Sequence, residues 1–174
     1  HVRGVGAHAH AEQAVAIVRA ALGGRRLDIF DAFSGSGAVA RFLKAHARLL
    51  VTNDLEDYAA VVARSALANA SSVDEPALRD AVDRLNAAVD RAEPVPGIIA
   101  DLYAPADDTR IAAGERVFYT RANALRLDEY RRRIAQESPL LQDHLLAALL
   151  AKASVHANTA GVFKGFYKDR KTRL

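Results

Sequence analysis

The sequence predicts an α/β fold carrying a largely helical insertion, and three observations lead to it. Residues 27 to 33, Leu-Asp-Ile-Phe-Asp-Ala-Phe, form a short apolar and aromatic run that stops at Ser34-Gly35-Ser36-Gly37. Val39, Phe42, Leu43 and His46 follow at helical spacing, so the stretch reads as strand, tight glycine turn and helix. A second apolar run, Leu49 to Thr52, ends on Asn53-Asp54 about 17 residues beyond Gly37, where a nucleoside-binding βαβ unit commonly places its ribose-binding acid. Beyond residue 70 the pattern is mostly helical, which makes 1–70 a βαβ region with an N-terminal helix, 71–157 a helical insertion and 158–174 a separate edge.

Each element has a local reason. Residues 1 to 10 show no periodicity, and His1, His8 and His10 lack the further donor that a metal set needs, so they read as a polar loop. Ala14, Ile17, Val18 and Ala21 share one helical face that Gly23-Gly24 closes. Val61, Val62, Ser65 and Ala66 recur at helical spacing in 58–69 and are expected to cover the sheet. Asp74 ahead of Glu75-Pro76 opens a helix striped by Leu78, Val82, Leu85 and Val89, and the prolines of 93–97 end it. Residues 97 to 105 read as a third strand or a packed loop. Thr120 caps a helix from Arg121 to about Gln136, with Leu127, Tyr130 and Ile134 inward and Arg126, Arg131, Arg132 and Arg133 outward. Ser138-Pro139 opens the last helix, to about Ala157, whose leucines at 141, 145, 146, 149 and 150 predict deep burial.

Composition removes several classes of function. The 174 residues are 51% hydrophobic and 26% charged, a globular profile able to build a core. There is no cysteine, which excludes disulfides and thiolate zinc sites. Apolar stretches such as 145–151 are too short to span a bilayer, and residues 1 to 22 lack the order of a signal peptide. The expectation is a cytoplasmic protein with no membrane and no metal. The net charge of +3 is local: Lys164, Lys168, Arg170, Lys171 and Arg173 stand against Asp169 in the last eleven residues, a distribution suited to contacting phosphates. Because the chain begins at His1 and holds no methionine, it is expected to be a fragment.

The charge beside the glycines selects among cofactors. Gly35-Ser36-Gly37-Ala38-Val39-Ala40 satisfies only the loosest form of the dinucleotide fingerprint. Asp31, four residues before Gly35, would repel a pyrophosphate but attract a cofactor that carries an amino group and a sulfonium. S-adenosyl-L-methionine fits that pattern better than NAD does.

Four segments in one order carry a family resemblance. Asp31-Ala32-Phe33-Ser34-Gly35-Ser36-Gly37 resembles the D-x-F-x-G-S-G cofactor motif of the Dam-like adenine-specific DNA methyltransferases, and Asn53-Asp54-Leu55-Glu56 with Tyr58 resembles their next motif. Residues 116–124, followed by an arginine-rich helix, and residues 158–168 match two more. The resemblance implies a partial Rossmann-like S-adenosylmethionine methyltransferase fold, with double-stranded DNA as partner. It also implies roles: Asp31 faces the methionine end, Phe33 packs on the cofactor, the Ser34-Gly35-Ser36-Gly37 turn allows close approach, and Asp54 accepts the ribose hydroxyls, with Glu56 as its rival. Asn158, Lys164, Lys168, Arg170 and Lys171, interleaved with Phe163, Phe166 and Tyr167, would form the DNA-facing edge.

Two family features are missing. A glycine-serine-lysine segment that closes the cofactor pocket is absent near the start, and the Asp-Pro-Pro-Tyr motif that holds the flipped adenine occurs nowhere in the 174 residues. No catalytic residue is therefore assigned, and the chain is expected to bind cofactor without transferring a methyl group. Three rivals stay open: an S-adenosylmethionine enzyme acting on RNA or a small molecule, a nucleic-acid-binding module with a vestigial pocket, and an NAD enzyme, which Asp31 disfavours.

Overall fold

The computed structural model describes residues 23 to 159, and before them residues 12, 13, 15 to 18 and 20. The chain divides into two compact units, His1–Val73 and Asp74–Leu174.

The first unit is built on two parallel strands, β1 (Leu27–Asp31) and β2 (Ala47–Thr52), joined through the short helix α1 (Ala38–Leu43) and followed by α2 (Asp57–Leu67). The described residues ahead of Gly23 are helical. Positive φ angles of 64° and 76° at Gly23 and Gly24 end that segment. In the sheet, Ile29 faces Leu50 and Asp31 faces Thr52, with one irregularity between Leu27 and Asp28. Alternation along each strand puts these side chains, all half-buried, on one face. Small residues let the helices approach closely: Ala40 of α1 and Ala59 and Ala63 of α2 are buried. Phe30, Leu49 and Val51 occupy the opposite, exposed face.

The second unit is helical: α3 (Glu75–Arg91), α4 (Ile98–Tyr103), α5 (Arg121–Ile134) and α6 (Pro139–Val155). Helix starts follow the capping chemistry of the sequence. Asp74 accepts the Ala77 N–H at 3.0 Å, Thr120 Oγ1 accepts the Asn123 N–H at 3.1 Å, and Pro76 and Pro139 occupy first-turn positions. One core cluster joins Ala81, Leu85, Ile134 and Leu145 of α3, α5 and α6. Another joins Ala100, Ala104, Phe118, Tyr119 and Ala124.

Two expectations change. Residues 98 to 103 form a helix rather than a strand or packed loop, because the Asp128 carboxylate on α5 accepts the N–H groups of Gly97, Ile99 and Ala100 at 2.8 to 3.1 Å. These are the orphan donors of a helix start, capped from a distant element. Helix α6 is less buried than its leucines predict: Leu145 is in the core, whereas Leu150 is exposed. Among the described residues the helix packs along one side only.

Among the described residues no helix is long and apolar enough to cross a membrane, and no group of side chains could hold a metal ion. His1, His8 and His10 lie outside the described residues.

Candidate cofactor site

The turn after β1 is held by hydrogen bonds from the end of β2. The Asn53 N–H donates to the Asp31 carbonyl at 2.8 Å, and the Ser34 N–H donates to the Asn53 carbonyl at 2.9 Å. The Asn53 side-chain amide donates to the Ala32 carbonyl at 3.1 Å. Asn53 thus ties residues 31, 32 and 34 together by three bonds. Gly37 N–H closes the turn on the Ser34 carbonyl at 2.8 Å.

Glycine is required here for conformation rather than for space. Gly35 and Gly37 have φ of 49° and 71°, in the left-handed region that side chains disfavour. A Cβ on Gly35 would meet nothing within 4 Å, and one on Gly37 would meet only Val62 at 3.8 Å. The result is a bare stretch of backbone leading into α1.

Asp54 works on the same turn from the far side. One carboxylate oxygen accepts the Gly35 N–H at 2.7 Å, and the other accepts the Glu56 N–H at 3.1 Å. These bonds, the one from Glu56 foremost and then the one from Gly35, hold its pKa below the ordinary carboxylate value of 3.8. Each oxygen keeps a further lone pair. Glu56 is exposed and makes no side-chain capping bond at the start of α2.

Asp31 is the converse case. One of its carboxylate oxygens is buried and has no hydrogen-bond partner among the described residues. A buried unsatisfied carboxylate oxygen is costly. A ligand amino group is the sort of donor that would satisfy it.

The remaining predicted residues of the turn separate by exposure. Ser34 is buried, Ser36 is exposed, and Phe33 presents its ring with 90% of the residue accessible. Leu55, just beyond Asp54, is 95% accessible, an exposure that its place in the sequence does not signal. A hollow of about 470 Å³ lies on the α2 side of Asp54, lined by Ser34, Asn53, Asp54, Ala63 and Arg64 among others. Asp31, Phe33 and the glycines do not line it. Asn53 was legible as part of a motif, but its clamping role depends on a contact across 21 residues.

The predicted DNA-facing set is only partly in view. Asn158 is buried, where its amide donates to the Val117 carbonyl at 3.0 Å and its N–H donates to the Phe118 carbonyl at 2.7 Å. It therefore fastens the chain that leaves α6. Lys164, Lys168, Arg170 and Lys171 lie outside the described residues. The outward arginines of α5 are largely engaged within the protein: Arg126 pairs with Asp90, and Arg132 and Arg133 with the buried Glu129.

A βαβ unit with a glycine turn, a buried acceptor and a second acid at the end of β2 is an arrangement that nucleoside-cofactor sites use. The chain is similar to the Type II methyltransferase M.NlaIII of Neisseria lactamica, with 28% identity over 147 residues. The match covers 81% of this chain and 41% of that protein. No protein-family model and no solved structure matches the chain.

Proposed function

We propose that this chain is the cofactor-binding region and part of the target-recognition region of a methyltransferase that uses S-adenosyl-L-methionine to methylate adenine N6 in double-stranded DNA. The observation that carries the reading is the buried, unpartnered oxygen of Asp31 beside a bare glycine turn. Asp31 accepts from the cofactor's amino group, and Asp54 uses its remaining lone pairs for the ribose hydroxyls. Phe33 covers the ligand, Gly35 keeps the backbone open to it, the buried Gly37 turns the chain into α1, Ser34 anchors the turn and Ser36 borders it. The bound cofactor supplies a methyl group on a cationic sulfur, a charge favoured by a neighbouring carboxylate. The similarity to a methyltransferase supports the same choice.

For DNA, the reading assigns phosphate contacts to Lys164, Lys168, Arg170 and Lys171 on a segment that Asn158 fastens. The partly neutralised arginines of α5 favour that edge over the helix. A protein acting on DNA in this way works in the cytoplasm. Because the 174 residues contain no Asp-Pro-Pro-Tyr, the chain by itself binds cofactor and does not methylate DNA.

Calorimetric titration with S-adenosylmethionine tests the central claim. The expected result is saturable binding that Asp31→Asn weakens by roughly tenfold or more, as befits loss of a charge-assisted hydrogen bond. Absence of heat from the folded wild-type chain, with DNA binding retained, would replace this reading with that of a nucleic-acid-binding module whose pocket is vestigial. Tritiated-methyl incorporation into unmethylated duplex DNA tests the second claim, and turnover by the chain alone would refute it.

A further inference from the structure

The helical unit contains a cleft of about 460 Å³ that the cofactor reading does not use. This volume lies within the range of small-molecule sites, roughly 300 to 1,000 Å³. On α5 its lining falls at Asn123, Arg126, Leu127, Tyr130 and Ile134, a single helical stripe. The stripe spans twelve residues from Asn123 to Ile134, a rise of about 16 Å.

The two ends of the cleft differ in chemistry. At the α5 carboxyl end, Leu85, Ile134 and Leu145 are buried and make an apolar floor. At the α5 amino end stand Asn123, Lys152 and His156; none of their side chains has a hydrogen-bond or ion-pair partner among the described residues. Between the ends, polar groups are already matched: Tyr130 O–H donates to Asn86 at 2.7 Å, and Arg126 pairs with Asp90 at 2.8 Å while lying over the Tyr130 ring. The middle therefore offers a ligand mainly carbon, from Leu127, Leu149 and the Tyr130 ring.

We propose that this cleft is a binding site for a medium-chain alkyl carboxylate, with its chain along α5 and α6 and its head at Lys152 and Asn123. A chain of roughly ten to fourteen carbons matches the length of the stripe. The carboxylate complements the ammonium of Lys152, which has no partner among the described residues, and can accept from the Asn123 amide. An uncharged head gains less there, and a cationic one is repelled by Lys152 and Arg126.

The test is calorimetric titration of the full chain with dodecanoate below its micelle concentration. The expected result is saturable 1:1 binding that Lys152→Gln weakens at least about fivefold and that Lys152→Arg preserves. Lys152 is exposed, so these variants leave the core intact. Ala148→Trp, which fills the cleft from α6, should abolish binding while leaving cofactor affinity unchanged. No saturable binding would overturn the proposal, as would affinity that ignores both Lys152→Gln and Ala148→Trp. Loss of binding in Phe33→Ala would overturn it by moving the ligand to the other unit. A gain in affinity on changing Phe163 and Phe166 to serine would also overturn it, by identifying the chain's own C-terminal aromatics as the occupant.

Discussion

Asp54 and Asp128 use the same chemistry to opposite ends. Each carboxylate reaches across the sequence to backbone N–H groups, Asp54 over 19 residues to Gly35 and Asp128 over 28 to 31 residues to Ala100, Ile99 and Gly97. Asp128 is buried and takes three donors, which leaves little room for another. Asp54 is half-exposed and accepts the Gly35 N–H on one oxygen and the Glu56 N–H on the other. A carboxylate has about four lone-pair positions, so Asp54 can still receive a ligand and Asp128 is committed to the fold. Asp31, half-buried with one buried oxygen that has no partner among the described residues, completes the series. Saturation and access together, rather than residue type, separate an acid committed to the fold from one left free to bind.

The largest effect expected from breaking this contrast is at Asp128. Asp128→Ala strands three helix-start N–H groups in a buried setting and should destabilise the protein by on the order of 3 kcal/mol. A urea unfolding midpoint measures it. Gly97 sharpens the result, because a Cβ there would sit 2.7 Å from the Asp128 carboxylate carbon. Gly97→Ala alone should cost about 1 to 3 kcal/mol, and much less in the Asp128→Ala background, where the clash is gone. Equal costs in both backgrounds would show that Asp128 does not set the geometry of α4.

That pair also explains which parts of the molecule were legible beforehand. The βαβ region could be read because each determinant is local: apolar runs for β1 and β2, glycines where φ is positive, and Asp54 at a strand end. Helices α3 and α5 announced themselves through Asp74 and Thr120, which cap their own first turns. Helix α4 could not be read, since its cap arrives from Asp128 and its flanks are proline, glycine and an irregular loop. The depth of α6 was overestimated for a related reason: leucine density reports apolarity, whereas burial depends on how many neighbours surround a helix. The charge of α5 was legible, but its pairing with Asp90 on α3 was not.

An intermediate effect is expected at Asn53, which clamps the turn. Asn53→Ala keeps both backbone bonds and removes only the amide donation to Ala32. It should weaken S-adenosylmethionine binding by roughly three- to tenfold, about one neutral hydrogen bond's worth, with little change in the unfolding midpoint. Asp54→Ala should do more, because it removes both the bond to Gly35 and the acceptor that the proposed function assigns to the ribose. Glu56→Ala should do least. A loss at Glu56 equal to that at Asp54 would mean that the acid at the end of β2 has been misassigned.

The smallest expected effect is on stability in acid, and here half-exposed acids of both units act alike. The pKa of Asp107 is held below 3.8, chiefly by the Thr109 hydroxyl and N–H and then by Arg110. That of Glu115 is held below 4.5 by the N–H groups of Ala106 and Ala112. Asp54 is lowered by Glu56 and Gly35 in the same manner. A depressed folded-state pKa means that the unfolded chain binds protons more readily, so these groups stabilise the fold fully above their ordinary values and lose that contribution as pH falls through the depressed ones. The midpoint of urea unfolding should therefore be flat near neutrality and fall below about pH 4.5. Since the leading causes are short-range hydrogen bonds rather than distant charges, added salt should change the slope little. Replacing Glu115 with glutamine should flatten part of the acid limb and leave the neutral plateau only slightly lower. An acid limb that collapses with salt would instead assign the pH dependence to the surface ion pairs, such as Arg79 with Glu75.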